Sequence, residues 1–172
     1  MITHNLLLIL LTCGPVIAIA QLKAAGQTVV VHGTSEEEED ILDPPSPEMI
    51  TKFGTLNDWL IKVCSQAKPK KSIQKYNIGL FEAPGDYTLF IVGVNTYIKS
   101  PTRSSTRIEF KPANMYFSLP PAYFKNLSRG QLLNKLAFDL TNFTRTASFK
   151  NSFFTKARAV IFESSGKAIW SR

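Results

Sequence analysis

Nucleophiles, bases and metal ligands are scarce in this chain, and that scarcity narrows its chemistry. The two histidines are His4 and His32, and the two cysteines are Cys13 and Cys64. Beyond residue 48 there is no imidazole. A Ser-His-Asp or Cys-His site needs an imidazole to take the nucleophile's proton. The Cys64 thiol likewise lacks the neighbour that commonly holds such a group as thiolate. Zinc bound by cysteine and histidine fails on the same count. No catalytic residue, cofactor or metal is assigned.

Carboxylates are the remaining catalytic groups: Asp58, Glu82, Asp86, Glu109, Asp139 and Glu163. Hydrolysis of a glycosidic bond needs two of them facing each other across a cleft. Glu82 and Asp86 flank one turn, where acids are usually surface charges, and Asp58 stands where a helix cap is needed. A carboxylate-dependent hydrolase is therefore the alternative rather than the first reading. Ser165-Gly166-Lys167 resembles the end of a phosphate-binding loop, but Ile161 replaces the earlier glycine and a strand, not a helix, should follow. Asn126-Leu127-Ser128 and Asn142-Phe143-Thr144 match the N-glycosylation acceptor.

The positive signal is basic. Lys68, Lys70, Lys71 and Lys75 cluster in one connection, and Lys99, Arg103, Arg107 and Lys111 recur every four residues. A solvated surface is the plain reading of such charge. The sharper one is an electropositive face for an acidic protein, an anionic glycan or other envelope component, or lipid head groups. Nucleic acid is disfavoured, since no binding motif accompanies the charge. The net charge of +7 conceals a division. Seven acids and no base lie between Ser35 and Glu48, whereas from Met49 on 19 bases face 6 acids, a net of +13.

The elements that must position these residues begin after an export signal. Leu6–Leu11 is apolar, Gly14-Pro15 interrupts the run, and Ala18-Ile19-Ala20 supplies the small residues of a cleavage site, predicting a mature chain from Gln21 that is secreted or periplasmic. Cys13 after Leu10-Leu11-Thr12 offers a lipoprotein alternative. An uncleaved anchor is a further rival, but the fifteen residues of Leu6–Ala20 fall short of the roughly 20 that span a bilayer. Residues 21–48 are expected to be a disordered segment and linker: like charges repel along Glu36–Asp40, and Pro44, Pro45 and Pro47 oppose regular pairing. Thr28–His32 is read as a strand or merely an apolar stretch.

Residues 49–172 are expected to form one basic domain. Thr55 with Asp58 caps a first helix whose apolar stripe is Leu56, Trp59, Leu60, Val63 and Cys64, so Cys64 is expected in the core. Pro84-Gly85-Asp86 joins strands Tyr76–Ala83 and Tyr87–Tyr97, the second apolar on both faces and hence central. Strands Thr106–Lys111 and Met115–Leu119 follow a polar loop at Ser100–Ser105. Ser128 and Gln131 box a second helix with buried Leu132, Leu133, Leu136, Ala137, Leu140 and Phe143. Ala157–Glu163 and Ala168–Ser171 read as a last hairpin. The order α-β-β-β-β-α-β-β predicts an α+β fold: an antiparallel sheet of five to six strands with two helices on one face. Its first functional reading is an exported, non-enzymatic interaction module. The alternatives are the hydrolase and a structural, envelope-associated protein.

Overall fold

The computed structural model describes residues 38–40, 42–100 and 103–172. The expected signal, Cys13 and the Thr28–His32 stretch lie outside them. Helix α1 (Leu56–Cys64) starts where Thr55 Oγ1 accepts from the Asp58 amide at 3.1 Å, and it buries Leu56, Trp59, Leu60 and Val63. Strands β2 (Lys75–Ala83) and β3 (Asp86–Ser100) form the expected hairpin. Gly85 turns it at φ 77°, a left-handed conformation that glycine adopts without a Cβ clash. Strand β4 (Arg103–Phe110) pairs with the far half of β3, and β5 (Tyr116–Ser118) with its near half. Short α2 (Pro121–Phe124) precedes α3 (Arg129–Phe143), which carries the full Ser128–Gln131 capping box. Helix α4 (Ala147–Lys150) is capped by Thr146, and a hairpin of β6 (Ala159–Phe162) and β7 (Lys167–Ser171) ends the chain.

With a two-residue strand β1 (Glu38–Glu39), the sheet runs β1-β4-β3-β2-β6-β7, with β5 beside β3. The architecture is α+β, but the sheet is mixed rather than antiparallel: β6 runs parallel to β2 (Lys75↔Ala159 to Ile78↔Phe162) and β1 parallel to β4. The reason is the helical crossover from Pro121 to Lys156. It returns the chain to the end of the sheet at which β2 starts, so β6 enters in the same direction.

Both long helices cover one face. Trp59, Leu60, Leu136 and Leu140 meet Tyr76, Ile78, Leu80, Leu89 and Ile91 in the main core, joined by Phe149, Phe153 and Phe154. The opposite face is apolar too, with Phe81, Phe90, Val92, Val94, Met115 and Tyr116 buried around Leu42. Burial of β3 on both faces is the property expected of a central strand. Leu133, expected in the α3 stripe, is only half-buried at the rim of the core. Cys64 is also half-buried rather than enclosed, because it closes the last turn of α1.

The linker expected over 21–48 differs in its described part. From Glu38 on it is attached: β1 pairs with β4, Leu42 is 6% exposed against the second core, and Tyr116 Oη donates to the Asp43 carbonyl. The edge of β4 supplies unpaired backbone groups, and Leu42 supplies the apolar side chain that an acidic run by itself lacks. Among the described residues no helix is long and apolar enough to cross a membrane.

Candidate functional site: a basic strand and a separate cavity

The α1–β2 connection is stitched to β3 through backbone and amides. Asn95 Oδ1 accepts from the Gln74 amide at 2.7 Å, Asn95 Nδ2 donates to the Ser72 carbonyl at 2.9 Å, and Thr96 N donates to Gln74 Oε1 at 3.0 Å. The connection thus holds Lys68, Lys70 and Lys71 exposed beside the β3–β4 ribbon. Lys71 Nζ reaches Glu109 at 2.6 Å, and Tyr97 Oη donates to the same carboxylate at 2.8 Å. Glu109 is the extra residue where the β3–β4 register shifts, and a bulge of this kind re-aims a side chain. The hydrogen bond from Lys71, then that from Tyr97, hold its carboxyl below the usual range, while Glu109 raises the Lys71 ammonium.

Arg107 is registered against Asn95, and Ser105 against Tyr97, so Arg103, Ser105 and Arg107 share the ribbon face that carries Tyr97. Lys99 occupies the other register shift, near the end of β3, and Lys111 is exposed just past β4. Lys75 stands apart. It is half-buried and registered against Val94, whose side chain belongs to the second core, on the face away from Tyr76. The eight basic residues singled out by spacing therefore do not share one face.

The outer edge of β4 is occupied by the acidic segment. Glu38 is registered against Ser105 and Glu39 against Thr106. The Asp40 amide then donates to the Thr106 carbonyl at 3.2 Å, and the Ile108 amide donates to Asp40 Oδ2 at 2.8 Å. Seen along β4, an acidic peptide lies alongside a strand that carries two arginines.

Each of the six carboxylates beyond residue 48 has a basic, hydroxyl or amide partner. Asp58 accepts from Thr55 at 2.7 Å, Asp86 from Ser118 at 3.2 Å, and Glu163 from Asn77 Nδ2 at 2.6 Å. Arg129 Nε bridges both Glu82 oxygens at 3.0 Å. Among the described residues no three His, Cys, Asp or Glu side chains gather as a metal-binding group.

Sequence reasoning missed a second feature, which shares no lining residue with the basic ribbon. A cavity of about 570 Å³ opens between the start of α1, α2 and α3, floored by Leu56, Leu60 and Phe143. Asp139 is the one carboxylate among its lining residues. It accepts from Tyr123 Oη at 2.5 Å and from Lys135 Nζ at 2.8 Å, and Lys135 also lies 4.4 Å from the centre of the Tyr123 ring. Burial, and then the bond to Asp139, push the phenol's pKa up, so the phenol keeps its proton and acts as a donor. The Lys135–Asp139 spacing on α3 was a readable clue, but Tyr123 reaches them only through the turn at Pro120-Pro121. Compared with protein-family models, curated proteins and solved structures, the chain finds no match.

Proposed function

We propose that this chain is an exported, non-enzymatic interaction module whose basic β3–β4 surface engages an acidic protein. The observation that carries the reading is the acidic segment lying along the strand that bears Arg103 and Arg107. A net charge of +13 beyond residue 48 supplies long-range attraction for such a partner. The peptide backbone in that contact favours a protein over a glycan or a lipid surface, because only a polypeptide can satisfy the edge of β4. The Leu6–Ala20 signal supports action outside the cytoplasm.

The test is charge reversal at both arginines (Arg103→Glu with Arg107→Glu), with binding measured against a polyglutamate peptide, heparin and phosphatidylserine vesicles across a salt series. The polyglutamate peptide should lose about tenfold or more in affinity, and wild-type binding should weaken steeply with salt, as exposed charges are screened beyond about 8–10 Å. Equal binding by wild type and variant would sink the reading. Preference for heparin or vesicles over the peptide would replace the protein partner with a glycan or membrane.

A further inference from the structure

We infer that the outer edge of β4 is a strand-addition site for an extended acidic peptide, and that residues Glu38–Asp40 fill it as a ligand tethered in cis. The inference rests on the proposed engagement of an acidic protein and names its mode. An edge strand offers a row of unpaired amides and carbonyls, and a peptide that pairs with it gains backbone hydrogen bonds while side chains set specificity. Here both halves of that recognition are visible. Backbone pairing runs from Glu38↔Ser105 to the bond from the Asp40 amide to Thr106, and the Asp40 carboxylate caps the Ile108 amide. Residues Glu38–Asp40 thereby lie alongside a strand that carries Arg103 and Arg107.

The tethered segment is built to be replaced. Its strand is two residues long, and the next apolar anchor is Leu42, which makes a β-bridge of its own and holds the chain on the second core. Residues Glu38–Asp40 can leave the edge while Leu42 stays. Each backbone bond contributes only about 0.5–1.5 kcal/mol net, so occupancy depends on tethering, which supplies an effective concentration in the millimolar range. An external acidic strand competes with that concentration, and its apparent affinity falls in proportion to the fraction of edge left open.

The test uses the full chain and a synthetic peptide of residues 35–40, Ser-Glu-Glu-Glu-Glu-Asp, titrated while the Ile108 amide resonance is followed. Asp40→Pro removes both the donor to Thr106 and the acceptor for Ile108 without touching a core residue. It should bind the peptide about two- to tenfold more tightly than wild type. A peptide N-methylated on alternate backbone nitrogens should leave Ile108 unmoved. Should Asp40→Pro fail to fold, Asp40→Ala, which loses the carboxylate alone, carries the same comparison with a smaller gain. Equal affinity of wild type and variant overturns the inference. Equal binding of the N-methylated peptide, abolished by reversal at Arg103 and Arg107, overturns strand addition and leaves the acid-binding surface standing. Absence of binding by either peptide to either protein overturns both.

Discussion

Gly79 lies beneath the ring of Phe90. The two are registered across β2 and β3, and a Cβ built on Gly79 would stand 2.1 Å from Phe90 Cζ. Phe90 is 1% exposed and packs on Phe81 at 4.9 Å between ring centres, so the ring has nowhere to retreat. Gly79→Ala is therefore expected to destabilise by about 1–3 kcal/mol, the usual cost of overpacking. Urea denaturation would read it as a lower midpoint. Pairing it with Phe90→Leu should recover part of the loss, so strictly additive effects in the double-mutant cycle would contradict the contact.

Leu42 tests whether the N-terminal segment contributes to the fold. At 6% exposed among Phe90, Val92 and Val94, it should behave as a core leucine, and Leu42→Ala should cost about 2 kcal/mol. Calorimetry on wild type and variant checks this. An unchanged melting temperature would mean that residues 38–43 ride on the sheet without stabilising it.

Local signals were readable where one element held all the information. Thr55 and Ser128 marked the helix starts, the 3.6-residue stripes gave their buried faces, and Pro84-Gly85-Asp86 gave the hairpin. The parallel pairing of β2 with β6 was not readable, because no local pattern links Lys75 to Ala159 across 84 residues. The polar residues of Ser100–Ser105 predict a loop, yet Ser100 and Arg103–Ser105 are strand, since Ser104 and Ser105 are held by pairing with Ile98 and Tyr97. Tertiary pairing overrode propensity there. The basic positions were found by composition, but spacing does not encode their faces: pairing with Val94 sets Lys75 apart, and a register shift falls at Lys99. Leu42 was overlooked because charge and proline dominate its surroundings.

Adjacent residues at the start of α3 should differ sharply. Ser128 Oγ accepts from the Gln131 amide while Gln131 Oε1 accepts from the Ser128 amide at 2.8 Å, so Ser128→Ala strands the Gln131 amide and should cost about 1 kcal/mol. Arg129, whose side chain is 63% exposed in its ion pair with Glu82, should cost less than about 1 kcal/mol on mutation to Ala. Thermal melts of the two variants give the comparison. A larger loss at Arg129 would reverse the assignment of cap over ion pair.

The thiol of Cys64 should make stability fall in alkali. Burial pushes its pKa from 9.0 up to about 11, against a smaller opposing effect of the hydrogen bond with Ser152. The neutral thiol is thus favoured in the folded chain, while the unfolded chain gives up its proton near the ordinary value. Below pH 9 both states keep the proton and the full stability is present. Between about pH 9 and 11 the unfolded state binds fewer protons than the folded one, so stability drops as pH rises. Tyr76, whose phenol burial also pushes upward from 10.0, adds a second decline that begins later. Cys64→Ala should therefore flatten the first part of the curve and leave the later part, which Tyr76→Phe should reduce. Urea midpoints measured in half-unit steps from pH 8 to pH 11 would separate the two. Parallel curves for wild type and Cys64→Ala between pH 9 and 10 would show that the thiol titrates equally in both states, and that the end of α1 leaves it open to water.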